Sequence, residues 1–479
     1  MSLLNAEQVA YRYPQNNRGI DPVSLCVEAG EALLIRGPSG CGKSTLARCL
    51  TGFVPHLYVG ELHGKVTVNG LDTAVTPLWQ LSEKISLLFQ NPTNQMLTDS
   101  VENEILFGLE NMGLPRAAMR ERLEAVLVQF GLTQMRHREP LTLSGGEQQR
   151  LALAAVMARQ PNVLVLDEPF SMLDSTASAH LVADLAQLVE TGTAVILCEH
   201  RHEIVTGLPN LRELSLSGGA PTHLNAPVEW SESRQENLEL TIEGLHVTLG
   251  QQKVLQNFSM AAQGGEIVAL VGRNGVGKTT LLRTLAGMQR YEGNVVVNGR
   301  SPQLGLVFQN PDLQLFNPTV REEILYRLRQ PDMARYCQLL AALGLEPYEE
   351  TPPLLLSEGE KKRLALATVL MRQPTHGLLL DEPTLGQDAA HKTILLRLLR
   401  QIAHSGQLVL ITTHDLSLAA QCDRLVLLGD HGILADGPPD VVFSDGNAWK
   451  HAGLIVPDWI RRERTIINCN TSRHRFTGN

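Results

Sequence analysis

The strongest constraint on this chain is a glycine-rich octapeptide that occurs twice, as Gly37-Pro38-Ser39-Gly40-Cys41-Gly42-Lys43-Ser44 and as Gly272-Arg273-Asn274-Gly275-Val276-Gly277-Lys278-Thr279. Both copies fit G-x-x-x-x-G-K-[ST]. An apolar strand-like run leads into each (Ala32 to Ile35; Ile267 to Val271), and a helix-like run leads out (Thr45 to Leu50; Thr280 to Leu285). In that order the glycines let several backbone N–H groups converge on phosphate oxygens, and the helix N-terminus adds positive potential. Lys43 and Lys278 would reach the β- and γ-phosphates, and the hydroxyls of Ser44 and Thr279 would ligate Mg²⁺. One glycine-rich turn arises by chance; two in register, each between strand and helix, do not. The motifs predict two nucleoside triphosphate sites. Their contacts would be Gly37, Ser39, Gly40, Cys41, Gly42, Lys43, Ser44 and Thr45 in one, and Gly272, Asn274, Gly275, Val276, Gly277, Lys278, Thr279 and Thr280 in the other.

A chain of 479 residues is too long for one ordinary core and implies two or three domains. With 43% hydrophobic and 19% charged residues it has the composition of a soluble globular protein. No run of about 18 apolar residues suits a bilayer, and the first residues lack the pattern of a signal peptide, so the expected site is cytosolic. The 7 cysteines contain no C-x-x-C pair, which indicates neither a disulfide framework nor a zinc site. Cys41, at a helix N-terminus, is open to two readings, an acidic reactive thiol or an inert filler. A net charge of −9 argues against a broad nucleic-acid surface. Arginines crowd the end of the chain (461, 462, 464, 473 and 475), as a solvated tail or a membrane-surface contact.

Subtraction exposes a duplication. Lys43 to Lys278 is an offset of 278 − 43 = 235, Gln90 to Gln309 gives 219, Ser144 to Ser357 gives 213, and Asp167 to Asp381 and His200 to His414 both give 214. The first half therefore carries extra residues between its P-loop and Gln90, around Val54–Gly60 and Leu71–Glu83. A repeat this long is a duplicated domain. Alternating strand-like and helix-like runs read as α/β domains with a largely parallel core sheet. The expected organisation is domain one over 1–216, a Gly/Pro/Ser-rich linker at 217–236, domain two over 237–455 and a basic tail at 456–479.

Further motifs recur in order. Gln90 and Gln309 follow apolar runs, where an amide senses Mg²⁺ and an attacking water. Ser144 and Ser357 precede Gly146 and Gly359 and then long Ala/Leu-rich helices, an N-cap pattern that makes a second anion-facing helix end. Two apolar strands end in Asp167-Glu168 and Asp381-Glu382, which places one carboxylate near Mg²⁺ and the next near a water. Two more strands deliver His200 and His414 as γ-phosphate contacts. The candidate metal set is Ser44, Gln90 and Asp167, with Thr279, Gln309 and Asp381.

These residues resemble the ABC ATPase family over almost the whole chain, as two tandem P-loop NTPase nucleotide-binding domains. The resemblance implies ATP and Mg²⁺ as ligands, Gln90 and Gln309 as Q-loop glutamines, and Ser144 and Ser357 as signature serines. It further implies Glu168 and Glu382 as catalytic glutamates, Asp174 and Asp388 as D-loop aspartates, and His200 and His414 as switch histidines. In that family paired domains bind ATP head to tail, so Gly37–Ser44 would face Ser357 and Gly272–Thr279 would face Ser144. Tyr13 resembles the aromatic that stacks on adenine, and the matching stretch of the second half, Val247 to Gly250, has none. Glu358 stands where the signature usually has glycine. Pointing inward it would weaken closure of the first site, while pointing to solvent it would not. Both sites are expected to hydrolyse, unequally.

After each Q-loop, Asn91-Pro92-Thr93-Asn94-Gln95 and Asn310-Pro311-Asp312-Leu313-Gln314 resemble a stretch of the energy-coupling-factor ATPases, with Leu313 departing from the usual Asp or Asn. That resemblance implies an ATP-hydrolysing motor of a vitamin or transition-metal importer. Its partners would be a transmembrane scaffold (T-type) subunit and a substrate-capture (S-type) subunit, met at the inner face of the membrane. Thiamine or its pyrimidine precursor is the narrower lead for the cargo. Glu102, Glu104, Glu322 and Glu323 would complement scaffold arginines or form a solvated acidic face. Two alternatives stay open: a tandem sugar-importer ATPase, and a soluble translation-factor ABC ATPase.

Overall fold

In the computed structural model the chain divides into two units, Met1–Ala220 and Pro221–Asn479. The structure describes residues 2–14, 19–38, 40–90, 92–143, 145–171, 173–199, 202–217, 238–250, 252–384, 389–430 and 432–456. Most of the expected linker and nearly all of the expected tail lie outside them.

Each unit is built on a parallel sheet. In the first its order is Ile85–Leu88, Val163–Asp167, Ala194–Cys198, Ala32–Arg36 and Leu211–Ser215, with every neighbouring pair parallel. The second repeats this as Leu304–Val307, Gly377–Asp381, Leu408–Thr412, Ile267–Gly272 and Arg424–Gly429, then adds the antiparallel Gly432–Gly437. Continuous apolar runs such as Leu378 to Leu380 form these strands because both faces are covered. Side chains alternate between two cores. Leu34, Leu164 and Leu166 pack under the helices Val101–Asn111, Gly145–Met157 and Ser175–Glu190, whereas Leu33, Val163 and Val165 pack towards the antiparallel sheet.

That second layer pairs Ser2–Arg12 with Gly19–Glu28 and Glu61–Val68 in the first domain. In the second domain it pairs Glu239–Leu249 with Gln252–Gln263 and Glu292–Val297. The expected α/β duplication is what the chain forms. The extra residues of the first half make the short helices Phe53–His56 and Leu78–Leu81 and the strand Leu71–Asp72. In both units the P-loop strand sits inside the parallel sheet, so the loop opens at the carboxyl ends of the strands, where α/β sheets bind ligands.

Candidate functional site

Each P-loop is shaped by glycines that no other residue replaces without strain. Gly42 and Gly277 have φ of 96° and 101°, and a Cβ there would lie 2.2 Å from Ile20 Cγ2 or 2.9 Å from Leu255 Cδ2. At Gly40 and Gly275 an added Cβ would meet nothing within 4 Å, which leaves room over the loop crest for phosphate. The helices Lys43–Leu50 and Lys278–Leu285 start at once. Lys43 is buried and its Nζ donates to Gly37 O at 2.9 Å and Pro38 O at 3.2 Å; Lys278 Nζ donates to Gly272 O at 2.7 Å and Arg273 O at 2.9 Å. Both ammonium groups are thereby held inside the curve of their own loop. Asn274 and Thr280 are half-buried and Thr45 is buried.

Cys41 is buried, and a Cβ on Gly37 would stand 2.6 Å from its sulfur. Val276 does the same at Gly272, with its Cγ1 at 2.9 Å. One position filled by a thiol in one loop and a methyl in the other favours the filler reading of Cys41.

The strand ends bring the acids to the loops. The Ser44 hydroxyl bonds the Asp167 carboxylate, whose Oδ1 is buried without a hydrogen-bond partner. Burial first, then the charge of Glu168, pushes the Asp167 carboxyl up to about 6, against the pull of Ser44, Arg48 and Lys43. Asp381 Oδ1 accepts from Thr279 Oγ1 at 3.1 Å and from Thr412 Oγ1 at 2.6 Å. A carboxylate beside a P-loop hydroxyl is a hard oxygen donor set, and the orphaned oxygen of Asp167 is the kind of group a cation satisfies; these residues fit Mg²⁺.

The next residues, Glu168 and Glu382, are buried and both have φ of 49°, a left-handed conformation that costs a non-glycine residue about 1 kcal/mol or more. The described partners of their carboxylates are as follows. Glu168 Oε2 accepts from Gln90 Nε2 at 2.7 Å. Glu382 Oε2 accepts from the His414 backbone N–H at 3.0 Å, and its Oε1 lies 3.5 Å from His414 Nε2. Lys278 Nζ is 3.4 Å from the same ring nitrogen. Burial raises the Glu382 carboxyl to about 7 despite the pull of Lys278 and the His414 N–H, a value suited to a general base near neutral pH. Gln309 is half-buried beyond the strand Leu304–Val307.

The second domain thus gathers Lys278, Thr279, Asp381, Glu382 and His414. The first gathers Lys43, Ser44, Gln90, Asp167 and Glu168. Ser39, Ser144, His200 and Asp388 lie outside the described residues. Gly146 and Gly359 are buried in the first turns of the signature helices. Ser357 caps the helix Glu358–Met371 in a reciprocal box, its Oγ accepting from Glu360 N at 3.4 Å while Glu360 Oε2 accepts from Ser357 N at 2.8 Å. Asp174 caps the helix Ser175–Glu190 through Ala177 N at 2.9 Å. Tyr13 is half-buried, with its hydroxyl 3.4 Å from Thr45 Oγ1.

Sequence reasoning missed Thr412, and it missed Lys362 and Gln149. These last two donate from the signature helices to Glu382 O at 2.8 Å and to Pro169 O at 3.1 Å, tying each helix to the acid-tipped strand end. Two long polar side chains at one offset inside Ala/Leu-rich helices were the available signal. Glu358 is ion-paired at 3.3 Å to Lys361, which also bonds Asp312 at 2.8 Å. Lys361 therefore partly neutralises Glu358.

The acidic residues after the Q-loops divide. Glu104 and Glu323 are not surface charges: both are buried, and each carboxylate folds its own loop. Glu104 Oε2 accepts from Leu97 N, Thr98 N and Thr98 Oγ1, all at 2.9 Å, and Glu323 Oε2 accepts from Phe316 N and Asn317 N, both at 2.7 Å. Glu102 is held by Arg136 at 2.8 and 2.9 Å, and Glu322 is exposed. Gln95 and Gln314 also bond inward. Gln95 accepts from Phe89 N at 3.0 Å and donates to Leu87 O at 3.1 Å, and Gln314 does so with Phe308 N at 3.2 Å and Leu306 O at 3.4 Å.

Two phosphate-binding loops, each with an acid-tipped strand and a buried glutamate, define a tandem P-loop nucleoside triphosphatase. The ABC transporter family model matches residues 20–171 and 255–385, and the chain belongs to the ABC transporter ATP-binding family and is an ATPase. A protein of Methanosarcina acetivorans, provisionally named ABC transporter ATP-binding protein, is 32% identical over 94% of this chain and 88% of its own. A Bacillus subtilis protein, provisionally named HMP/thiamine import ATP-binding protein YkoD, is 31% identical over 97% of this chain and 99% of its own. Among solved structures, an archaeal ABCE1 from a ribosome-bound model with Pelota aligns with TM-score 0.65 at 20% identity, over 90% of this chain and 78% of that one. At that identity the likeness shows the fold.

Proposed function

We propose that this ATPase is the motor subunit of an energy-coupling-factor-type importer for a vitamin or transition metal, bound at the cytoplasmic face of a membrane. The observation that carries the reading is the matched pair of loops after the Q-loops. In each, an inward-bonded glutamine and a buried glutamate brace the backbone while apolar side chains stay outside. Leu97 is 72% exposed at one loop, and Leu313 and Phe316 are 65% and 67% exposed at the other. Braced, exposed apolar groups suit a membrane partner's docking segments. No described helix is long and apolar enough to cross a membrane, so transmembrane scaffold and capture subunits would supply the pathway. The name of the Bacillus subtilis relative makes thiamine or its pyrimidine precursor the narrower lead for the cargo.

In this mechanism Lys43 and Lys278 hold the terminal phosphates, and Glu168 and Glu382 orient and deprotonate the attacking water. Mg²⁺, held by Ser44, Asp167 and Gln90 or by Thr279, Asp381 and Gln309, would neutralise charge developing on the β- and γ-phosphates. His414 positions Glu382 through its backbone N–H, and His200 would do so in the first domain. ATP binding would close the domains and hydrolysis would release them, driving the membrane partner.

Co-purification of the tagged full-length chain from native membranes tests the reading. Small, very apolar membrane subunits are expected with it. Leu97→Asp with Phe316→Asp should cut their recovery and substrate uptake about ten-fold or more, while ATP turnover of the isolated chain is retained. Recovery of ribosomes in place of membrane subunits would favour the translation-factor alternative and overturn the importer.

A further inference from the structure

The helices that leave the two P-loops carry an arginine at the same turn, Arg48 and Arg283, and 283 − 48 = 235 is the offset of the P-loop lysines. The two arginines have different neighbours. Arg283 is exposed, with Cζ 6.0 Å from the ring centroid of Phe308. Arg48 is half-buried, with Cζ 4.8 Å from the ring centroid of Tyr58 and Nη1 donating to the Tyr13 hydroxyl at 3.0 Å. The same hydroxyl lies 3.4 Å from Thr45 Oγ1.

The Tyr13 ring also meets Tyr11 edge-on, at 4.8 Å and 86°, and the Tyr11 hydroxyl donates to Val59 O at 2.9 Å. The extra segment around Val54–Gly60 therefore reaches the P-loop helix twice, through Tyr58 to Arg48 and through Val59 to Tyr11 and Tyr13. The second domain lacks both the segment and the aromatic. Tyr11 faces Ile20 and Val247 faces Leu255 across corresponding ladders, which puts Leu249 at the register position of Tyr13.

We propose that Arg48 and Tyr58 are positioning residues that hold the Tyr13 ring beside the first P-loop, so that the first domain binds nucleotide through base and phosphates and the second through phosphates alone. A ring packed edge-on by Tyr11 and tethered through its hydroxyl by Arg48 loses little freedom when a base stacks on it, whereas a free side chain must be ordered in the act of binding. Stacking accepts any base, so the device registers the presence of a base and not its identity. The inference rests on the P-loops binding triphosphate and is independent of the importer reading.

The test uses the full-length chain with Lys278→Ala, which silences the second P-loop, and measures displacement of trinitrophenyl-ATP by ATP and by inorganic tripolyphosphate. Arg48→Met should weaken ATP about three- to ten-fold and leave tripolyphosphate unchanged. Tyr58→Ala should do the same, while Tyr58→Phe, which keeps the ring, should not. In the reciprocal Lys43→Ala chain, Arg283→Met should alter neither competitor. Equal loss of both competitors, or undiminished ATP affinity in Arg48→Met and Tyr58→Ala, overturns the proposal. Should Arg48→Met fail to fold, Tyr58→Ala against Tyr58→Phe decides it. If neither competitor displaces the probe in either background, the P-loop assignment itself fails.

Discussion

Glu168 and Glu382 leave their strands with the same φ of 49° and donate their N–H to the same neighbouring strand end, Cys198 O at 2.9 Å and Thr412 O at 3.1 Å, but among the described residues the Q-loop glutamine reaches the carboxylate in the first domain and not in the second. In the first domain the carboxylate bonds the Gln90 amide; in the second it bonds the His414 backbone and faces the His414 ring. Duplication kept the backbone that aims each glutamate, while the glutamine contact is made in one domain alone among the described residues. The arginines after the P-loops repeat the lesson, one drawn to Tyr13 and Tyr58, the other to Phe308. Phosphate geometry constrains main chain tightly, whereas a side chain only has to find a partner within reach.

The largest expected effect tests this divergence at the chemistry. Glu168→Gln and Glu382→Gln should each lower turnover by up to about 10²–10³, or about 3–4 kcal/mol in barrier, with unequal residual rates. Steady-state phosphate release under saturating Mg-ATP reads both variants. Equal residual rates would break the comparison and leave two interchangeable sites.

A smaller effect concerns the braced loops. Removing Glu104 or Glu323 leaves part-buried N–H groups without their acceptor, so either alanine variant should lose about 1–3 kcal/mol of stability. Glu104→Ala should cost more, since its carboxylate takes three donors and that of Glu323 takes two. Glutamine keeps the accepting oxygen and should recover most of the loss in thermal unfolding. If glutamine behaves like alanine, the negative charge matters beyond the loop, and the reading of these residues as complements to a partner's arginines revives.

What the residues disclosed in advance follows from the same distinction. Lys43, Asp167 and Glu168 were legible because binding a magnesium-bound triphosphate fixes residue types at fixed places on a strand, loop and helix, and Lys278, Asp381 and Glu382 repeat them. The parallel sheet was legible because strands covered on both faces read as unbroken apolar runs such as Val163 to Leu166. Glu104 and Glu323 misled because a glutamate in the first turn of a helix looks solvated in one dimension. Their burial depends on how the preceding loop folds back, which no local pattern encodes. Lys361 was invisible for a related reason: its carboxylates, Asp312 and Glu358, come from two segments, one of them 49 residues away. One partner of Arg48, Tyr58, belongs to an inserted segment present in one domain alone.

The smallest effect comes from a charge reversal between the domains. Glu102 N donates to Arg136 O at 3.0 Å and Arg321 N donates to Glu349 O at 3.0 Å, so these are matched positions. Their side chains pair with opposite polarity, Glu102 to Arg136 at 2.8 Å and Arg321 to Glu349 at 3.3 Å. The Arg136 hydrogen bond, reinforced by its charge, holds the Glu102 carboxyl below the usual carboxylate range. The pair's stabilisation is then full above the unfolded carboxylate pKa of about 4.3 and fades as pH falls through the lower folded value. Arg136→Met should cost about 1 kcal/mol at neutral pH and less under acid, read by urea unfolding across that range. Glu102→Arg should cost more than Glu102→Gln, because two guanidinium groups then face each other. Adding Arg136→Glu to Glu102→Arg copies the polarity of the second domain and should restore most of the loss. Failure of the double variant would show that the surroundings, with Glu124 bonded to Arg136 at 2.7 Å in one domain and Tyr336 to Glu349 at 2.8 Å in the other, have fixed the polarity of each pair.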